Sequence, residues 1–138
     1  MKPMILFFSL LLILSCIACN RSPQPVPQAS TATLALTLSP LGNKGNGPLG
    51  NGTVRLTPNP QSGNVNCQLV GNQPITCVEQ FVRGATVILR VSPEDSTLES
   101  INGCNVTKCE GCPLGVTTCQ VTMDGDKGVS AVFIGLIK

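Results

Sequence analysis

The chain has 138 residues, a formal net charge of +2 and no histidine. The absence of histidine removes the commonest general base and the commonest metal ligand, which excludes triad chemistry and most catalytic zinc sites. The nine basic residues are scattered, and beyond the N-terminal apolar run only Phe81 and Phe133 are aromatic. Since single-strand binders need stacking platforms and basic patches, nucleic acid is not an expected partner.

The chain begins with an apolar segment. Residues 4–15, MILFFSLLLILS, carry no charge. This run is shorter than the roughly 20 residues needed to span a bilayer, so it predicts a cleaved secretory signal. The sequence after it resembles a bacterial lipobox, in which small residues precede a lipidated cysteine. Two cysteines compete: Cys16 follows a better aliphatic position, and Cys19 follows a better small residue at the cut.

We favour Cys19, because cleavage there leaves six other cysteines, all in the folded part, whereas cleavage at Cys16 leaves Cys19 as a free thiol. The alternative is an ordinary signal peptide without a lipid. The predicted organisation is therefore a lipoprotein signal over residues 1–18, a tether over residues 19–32 and one domain over residues 33–138. The tether includes the proline-rich stretch RSPQPVPQAS, which is typical of an extended spacer between a lipid anchor and its domain.

Alternating apolar residues predict strands in the domain. The 14 glycines and 11 prolines, with no sustained 3.6-residue apolar period, argue against long helices. Strands are predicted over residues 33–39, 53–57, 85–91, 118–123 and 129–136. The Gly/Asn-rich residues between the first two, and DGDKG between the last two, predict hairpin connections. The predicted fold class is mostly β, a small antiparallel β-sheet domain.

Two pairs of carboxylates are close in sequence, Glu94 with Asp95 and Asp124 with Asp126. Each pair lies beside proline or glycine in a turn-like stretch, where charges are usually solvated, so neither is assigned to catalysis. DGDKG also resembles part of a calcium loop, but the closing glutamate of that loop is absent. A plain turn is the expected structure, and no catalytic residue, metal or cofactor is predicted.

The order of these features resembles the divergent internalin B-repeat domain of bacterial surface and secreted proteins. The resemblance runs over about residues 34–133, through NGTVRLTPNP, NCQLVGNQPITC, FVRGATVILRVSPEDSTLESINGC and, most specifically, CQVTMDGDKGVSAVF. Leu98 and Ile101 stand where the family usually has an aromatic residue and a tryptophan. The resemblance implies a β-grasp-like module stapled by disulfides, with a structural or binding role and no known catalysis.

Six cysteines lie in the predicted domain, and an exported chain makes disulfides the default expectation. A redox pair at Cys109 and Cys112 would need a following helix, which Gly111, Pro113 and Gly115 oppose. A zinc site would need a second knuckle or histidines. The family pattern implies the pairs Cys67–Cys77 and Cys104–Cys119, which leaves Cys109–Cys112.

Together these features predict a lipid-anchored, non-enzymatic protein of the bacterial cell envelope, at the outer membrane or cell surface, that acts as a binding or spacer module. Its expected partners are the membrane, through the lipid, and an unknown protein or glycan, with no small-molecule substrate. The alternatives are a released effector or inhibitor that uses the loop of residues 42–52, and a thiol-disulfide oxidoreductase that uses the Cys109 and Cys112 pair.

Overall fold

The computed structural model describes residues 29–42, 48–107 and 111–136, and these form nine strands and no helix. The mostly β fold class is therefore confirmed. The strands are β1 (Thr31–Leu41), β2 (Asn51–Thr57), β3 (Asn66–Leu69), β4 (Ile75–Val82), β5 (Thr86–Glu94), β6 (Ser96–Asn102), β7 (Asn105–Thr107), β8 (Thr117–Thr122) and β9 (Lys127–Gly135).

The strands make two sheets. The four-stranded sheet has the order β4-β1-β9-β6, and the five-stranded sheet has the order β3-β2-β5-β8-β7. Neighbouring strands of the described residues are antiparallel except β1 and β9, which run parallel with Leu36 beside Val129. The predicted antiparallel domain thus contains one parallel pair at the centre of its smaller sheet.

The core lies between the two sheets and follows from the alternation of the strands. In β1, Leu34, Leu36 and Leu38 are fully buried while the residues between them are partly exposed. Every second residue of a strand points to the same face, so these leucines all meet the other sheet. The five-stranded sheet contributes the buried residues Val54, Leu56, Leu69, Val87, Leu89, Val91 and Val121 to the same cluster. Complete burial of one such side chain stabilises the fold by about 1.5–3 kcal/mol.

The five predicted strands correspond to β1, β2, β5, β8 and β9, and their inward faces are as predicted. No strand is predicted at β3, β4, β6 or β7. β3 alternates, with Cys67 and Leu69 inward, but is only four residues long. In β4 the inward positions include Glu79, a charged residue that breaks the apolar alternation, and β7 has three exposed residues. A pattern that depends on apolar residues at every second position cannot identify such strands.

Both predicted hairpin connections are wrong. β1 and β2 lie in different sheets, and so do β8 and β9. Consecutive strands pair only at β2–β3 and β7–β8 among the described residues. Alternation of apolar residues shows which face of a strand is buried. It does not show whether the next strand in the chain pairs with it in the same sheet or lies in the other sheet. Residues 124–126 accordingly cross between sheets, and none of them has a positive φ angle.

The remaining predictions of organisation lie largely beyond the described residues. β1 begins at Thr31, so the structure reaches only the last residues of the predicted tether, 19–32, and the signal of residues 1–18 lies outside it. The part of the chain that the structure describes contains no helix long and apolar enough to cross a membrane. The β-grasp-like topology implied by the resemblance stays a prediction.

Candidate binding surface on the five-stranded sheet

One disulfide joins the two sheets at their edges. Cys67 is buried in β3, at the edge of the five-stranded sheet, and is bonded to Cys77 in β4, at the edge of the four-stranded sheet. The two Cα atoms are 6.0 Å apart, within the usual range for a disulfide. This predicted pair is confirmed, and the bond closes the sandwich along one side.

A second disulfide holds the crossover from β6 to β7. Cys104 lies between these two strands and is bonded to Cys119, which is buried in β8, with the Cα atoms 5.8 Å apart. This pair is confirmed as well. Both disulfides join separate structural elements, so these four cysteines stabilise the fold as covalent staples, as the sequence predicts.

The third predicted pair is only partly within the described residues. Cys112 takes part in a disulfide, but Cys109 lies outside the described residues, so their pairing stays a prediction. The segment after Cys112 is a turn in which the Val116 N–H donates to the Pro113 carbonyl at 3.2 Å, and Gly115 has a φ angle of 83°. No helix begins there, so the dipole that would activate a thiol is missing from this part of the chain. The lipidation candidates Cys16 and Cys19 also lie outside the described residues.

Glu94 and Asp95 do not form a catalytic pair in the structure. Glu94 Oε1 accepts a hydrogen bond of 2.6 Å from the Thr53 hydroxyl on the neighbouring strand. Asp95 lies at the turn between β5 and β6 with a φ angle of 49°. The two residues thus have different structural positions, one on a sheet face and one in a tight turn.

Asp124 and Asp126 are likewise divided between two structural contacts. Asp124 Oδ1 is 2.6 Å from Lys127 Nζ, and the hydrogen bond from Lys127 lowers the pKa of the Asp124 carboxyl. Asp126 Oδ1 accepts a hydrogen bond of 2.8 Å from the Thr33 backbone N–H. Among the described residues no three acidic, cysteine or histidine side chains come together as metal ligands.

Two concave sites of the described residues are shallow. One groove of about 260 Å³ lies on the outer face of the four-stranded sheet, where Ala35 and Gly128 leave space between Thr37, Ser130 and Asn102. Another, of about 280 Å³, lies beside Cys104 and is lined mainly by polar residues such as Asn105, Gln120 and Thr122. Ligand pockets usually enclose about 300–1,000 Å³ between apolar walls. Open surfaces are therefore the better candidates for recognition.

Glu79 is a buried carboxylate at one edge of the sandwich. Its side chain points inward from β4 and is 2% exposed, and its Oε2 atom has no hydrogen-bond partner in the described structure. The loop before β3 covers it, held to β4 by hydrogen bonds that Gln80 makes with Gln61 and Ser62. A buried polar group without a partner costs about 1–3 kcal/mol. The unpaired Oε2 atom of Glu79 therefore lowers the stability of the fold at this edge.

The outer face of the five-stranded sheet carries a row of polar side chains across all five strands. The strand register places Asn66, Arg55, Arg90, Thr118 and Thr107 side by side, in that order. The last two are tied together, with their hydroxyl oxygens 2.8 Å apart. Neighbouring strands are about 4.8 Å apart, so the row extends about 19 Å across the sheet.

At the centre of this row two arginines are directly opposite each other. Arg55 on β2 and Arg90 on β5 are register partners, and both side chains are exposed. Neither arginine takes part in an ion pair within the described structure, where Asp124 and Lys127 form one. The acid that shares their face, Glu94, lies four residues along β5, and its carboxylate is bonded to the Thr53 hydroxyl in the row next to the arginines without forming an ion pair with either of them. The two guanidinium groups thus form a small positive centre with one carboxylate nearby and no ion pair to it.

The strand positions on either side of the arginines carry no charged residue, although the Glu94 carboxylate reaches Thr53 in one of these rows. One row contains Gln68, Thr53 and Ser92. The row on the other side contains Thr57, Ile88, Gln120 and Asn105, in which Ile88 is 45% exposed. The arginine pair is therefore flanked mostly by hydroxyl and amide groups, with Ile88 as an exposed apolar side chain among them.

The sequence carries no local signal for this surface, because its basic residues are scattered along the chain. Arg55 and Arg90 are 35 positions apart, and each is an ordinary outward residue between apolar neighbours, in VRL and LRV. Their outward direction could be read from the alternation. Their juxtaposition depends on the pairing of β2 with β5, which no local signal specifies.

The chain matches no protein-family model, no curated protein and no solved structure in comparisons with known proteins. The resemblance to internalin B repeats thus stays a prediction that rests on the residues quoted for it. The surface described above has to be interpreted from its own chemistry.

Proposed function

We propose that the protein is a lipid-anchored, non-enzymatic module of the bacterial cell envelope that binds a partner or acts as a spacer. The observation that carries this proposal is the pair of disulfides, Cys67–Cys77 and Cys104–Cys119, that staples the sandwich. Structural disulfides form and persist in oxidising compartments, so they support export from the cytoplasm. The apolar run of residues 4–15 and the lipobox-like cysteines after it support the same route and add the anchor.

The surface of the sandwich supports a binding or spacing role rather than catalysis. The close carboxylates are engaged in separate structural contacts, and four of the thiols are in staples. The outer sheet faces are rich in hydroxyl and amide side chains. A rigid face of this kind, held away from a membrane by a proline-rich tether, suits recognition of an envelope component. The resemblance to internalin B repeats points to the same kind of role at the outer membrane or cell surface.

Lipidation is tested by fractionating cells that express the full chain with Cys16→Ser, Cys19→Ser or both substitutions. The wild type should be in membranes and should incorporate labelled palmitate, and Cys19→Ser should abolish the label if Cys19 is the acceptor. The double variant should be soluble or remain an uncleaved precursor, because acyl chains supply about 0.8 kcal/mol of membrane affinity per buried CH2. A double variant that is cleaved yet stays in the membrane would refute the anchor.

Two further outcomes would favour the alternatives. A large soluble pool of the mature wild type would favour a released effector or inhibitor. Turnover in an insulin-reduction assay that is lost with Cys109→Ser and Cys112→Ser would favour a thiol-disulfide oxidoreductase. We expect neither result, because Cys112 is followed by a turn instead of an activating helix.

A further inference from the structure

We propose that the outer face of the five-stranded sheet binds an acidic glycan, with Arg55 and Arg90 jointly holding one of its carboxylate or sulfate groups. This inference rests on the binding function proposed above and names its ligand class. It does not depend on the lipid anchor. Three observations support it. The two arginines account for the charged group, their polar neighbours account for the sugar, and the burial of the described aromatic residues argues against nucleic acid.

The arginine pair is unfavourable for the free protein. Like charges directly opposite each other on antiparallel strands destabilise the sheet, and Arg55 and Arg90 are register partners on two of its inner strands. No carboxylate of the described residues forms an ion pair with either one. An anion between the guanidinium groups removes this repulsion, so the site is more favourable when it is occupied.

The guanidinium groups select the kind of anion. Arginine presents a planar fork of N–H donors that matches two oxygens of a carboxylate, sulfate or phosphate. Two forks side by side provide enough donors to bind every oxygen of one such group. The negative charge of the ligand and the two positive charges therefore supply the affinity, and the fork geometry supplies the orientation.

The neighbours of the arginines select the rest of the ligand. Asn66 and Thr118 flank the pair within its row, and Thr53 and Gln120 lie in the adjacent rows. The amides of Asn66 and Gln120 both donate and accept hydrogen bonds, as do the hydroxyl groups of a sugar. The Thr53 and Thr118 hydroxyls already donate within the protein and can accept from the ligand. A chain of sugars that lies along the row would thus meet polar groups on both sides of its charged group.

The same face disfavours nucleic acids. The two aromatic residues of the described structure, Phe81 and Phe133, are buried in the core. Single-stranded nucleic acids need aromatic stacking, and duplexes need many phosphate contacts from a larger basic surface. The remaining polar and charged groups of this face favour a glycan that carries its own negative charge.

The test measures binding of the full chain, purified in detergent, to four immobilised polymers. The probes are polygalacturonate, which carries carboxylates, dextran sulfate, neutral dextran and polyphosphate. The variants are Arg55→Gln, Arg90→Gln and the double variant. Arg83→Gln is the matched control, because Arg83 is an exposed arginine outside this face, directly after the end of β4, and its substitution changes the net charge equally.

We expect binding to at least one acidic glycan and none to neutral dextran. Each single substitution in the pair should weaken binding by about tenfold, as expected for a lost charge-assisted hydrogen bond, and the double variant should lose it. Arg83→Gln should bind like the wild type. Each single substitution in the pair should also raise the melting temperature, because it removes a like-charge contact, and this result shows that the variants are folded.

Three results would overturn the inference. Equal loss of binding in Arg83→Gln would show that only net charge matters. Tighter binding to polyphosphate than to either acidic glycan would assign the pair to a phosphate polymer. No binding to either acidic glycan would refute an acidic glycan as the ligand. The proposal of a lipid-anchored module would not be affected, because the fractionation of the cysteine variants tests it separately.

Discussion

Replacement of Phe133 by alanine should be among the most destabilising single changes in this protein. Phe133 lies on β9, an inner strand of the four-stranded sheet, and its side chain is completely buried. Its ring packs across the core against Gly52 on β2, in the other sheet. Truncation of a buried phenylalanine to alanine costs about 3–5 kcal/mol, a large part of the roughly 5–15 kcal/mol that stabilises a typical domain.

The contact between Phe133 and Gly52 makes a sharper test through a double-mutant cycle. A Cβ atom at residue 52 would lie 2.6 Å from Phe133 Cζ and 2.7 Å from Cδ1, so Gly52→Ala alone should overpack the core and cost about 1–3 kcal/mol. In the Phe133→Ala background the ring is absent, and Gly52→Ala should be neutral or stabilising. The coupling energy should therefore exceed about 1 kcal/mol.

The cycle is measured by urea unfolding of the full chain under non-reducing conditions, which keeps the disulfides intact. Far-UV circular dichroism is the suitable signal, because the chain has no tryptophan or tyrosine. Gly128→Ala is the control, since this glycine is also in a strand and a Cβ there would meet nothing within 4 Å. If Phe133→Ala melts within a few degrees of the wild type, or if the two substitutions are additive within about 0.5 kcal/mol, the packing described here is wrong.

Two further predictions concern the staples and the buried acid. Replacing Cys104 and Cys119 with serine should cost about 3 kcal/mol in urea unfolding, because their bond closes a loop with a sequence separation of 15 and holds the crossover to β7. The same change at Cys109 and Cys112 should leave stability almost unchanged, since the predicted bond between them closes a very short loop and restricts few unfolded conformations. A cost equal to that of the first pair would contradict this prediction. Gly63→Ala should destabilise more than Gly71→Ala by about 1–3 kcal/mol. Both glycines have positive φ angles, but only the new Cβ at residue 63 would overlap Glu79. Thermal melts measure the difference in stability between the two variants. Adding Glu79→Ala to Gly63→Ala should reduce this difference, because the overlapping side chain is then removed.

The inward faces of the long strands could be predicted because they follow from local chemistry. In β1 the sequence TLALTLS alternates leucine with small residues, and the structure buries each of those leucines. The alternation has a period of two residues, which is the period of side-chain direction in a strand. No partner strand has to be known to read it.

Strands without that alternation could not be predicted. β4 carries Glu79 at an inward position, where the covering loop around Gly63 shields it from water. The sequence around Glu79 alone indicates an exposed residue, because charged side chains are seldom buried. The burial of this glutamate depends on a loop that precedes it by many positions, and only the folded chain brings the two together.

The sequence by itself determined the strand-rich composition, the core faces of five strands and, through the resemblance, the pairs Cys67–Cys77 and Cys104–Cys119. Only the tertiary structure decided that consecutive strands such as β8 and β9 lie in different sheets, that β1 and β9 run parallel, and that Arg55 faces Arg90. The physical reason is the range of the interactions. Burial of a face is decided residue by residue, whereas pairing is decided by backbone hydrogen bonds between segments far apart in the chain, which any extended strand can offer to any other.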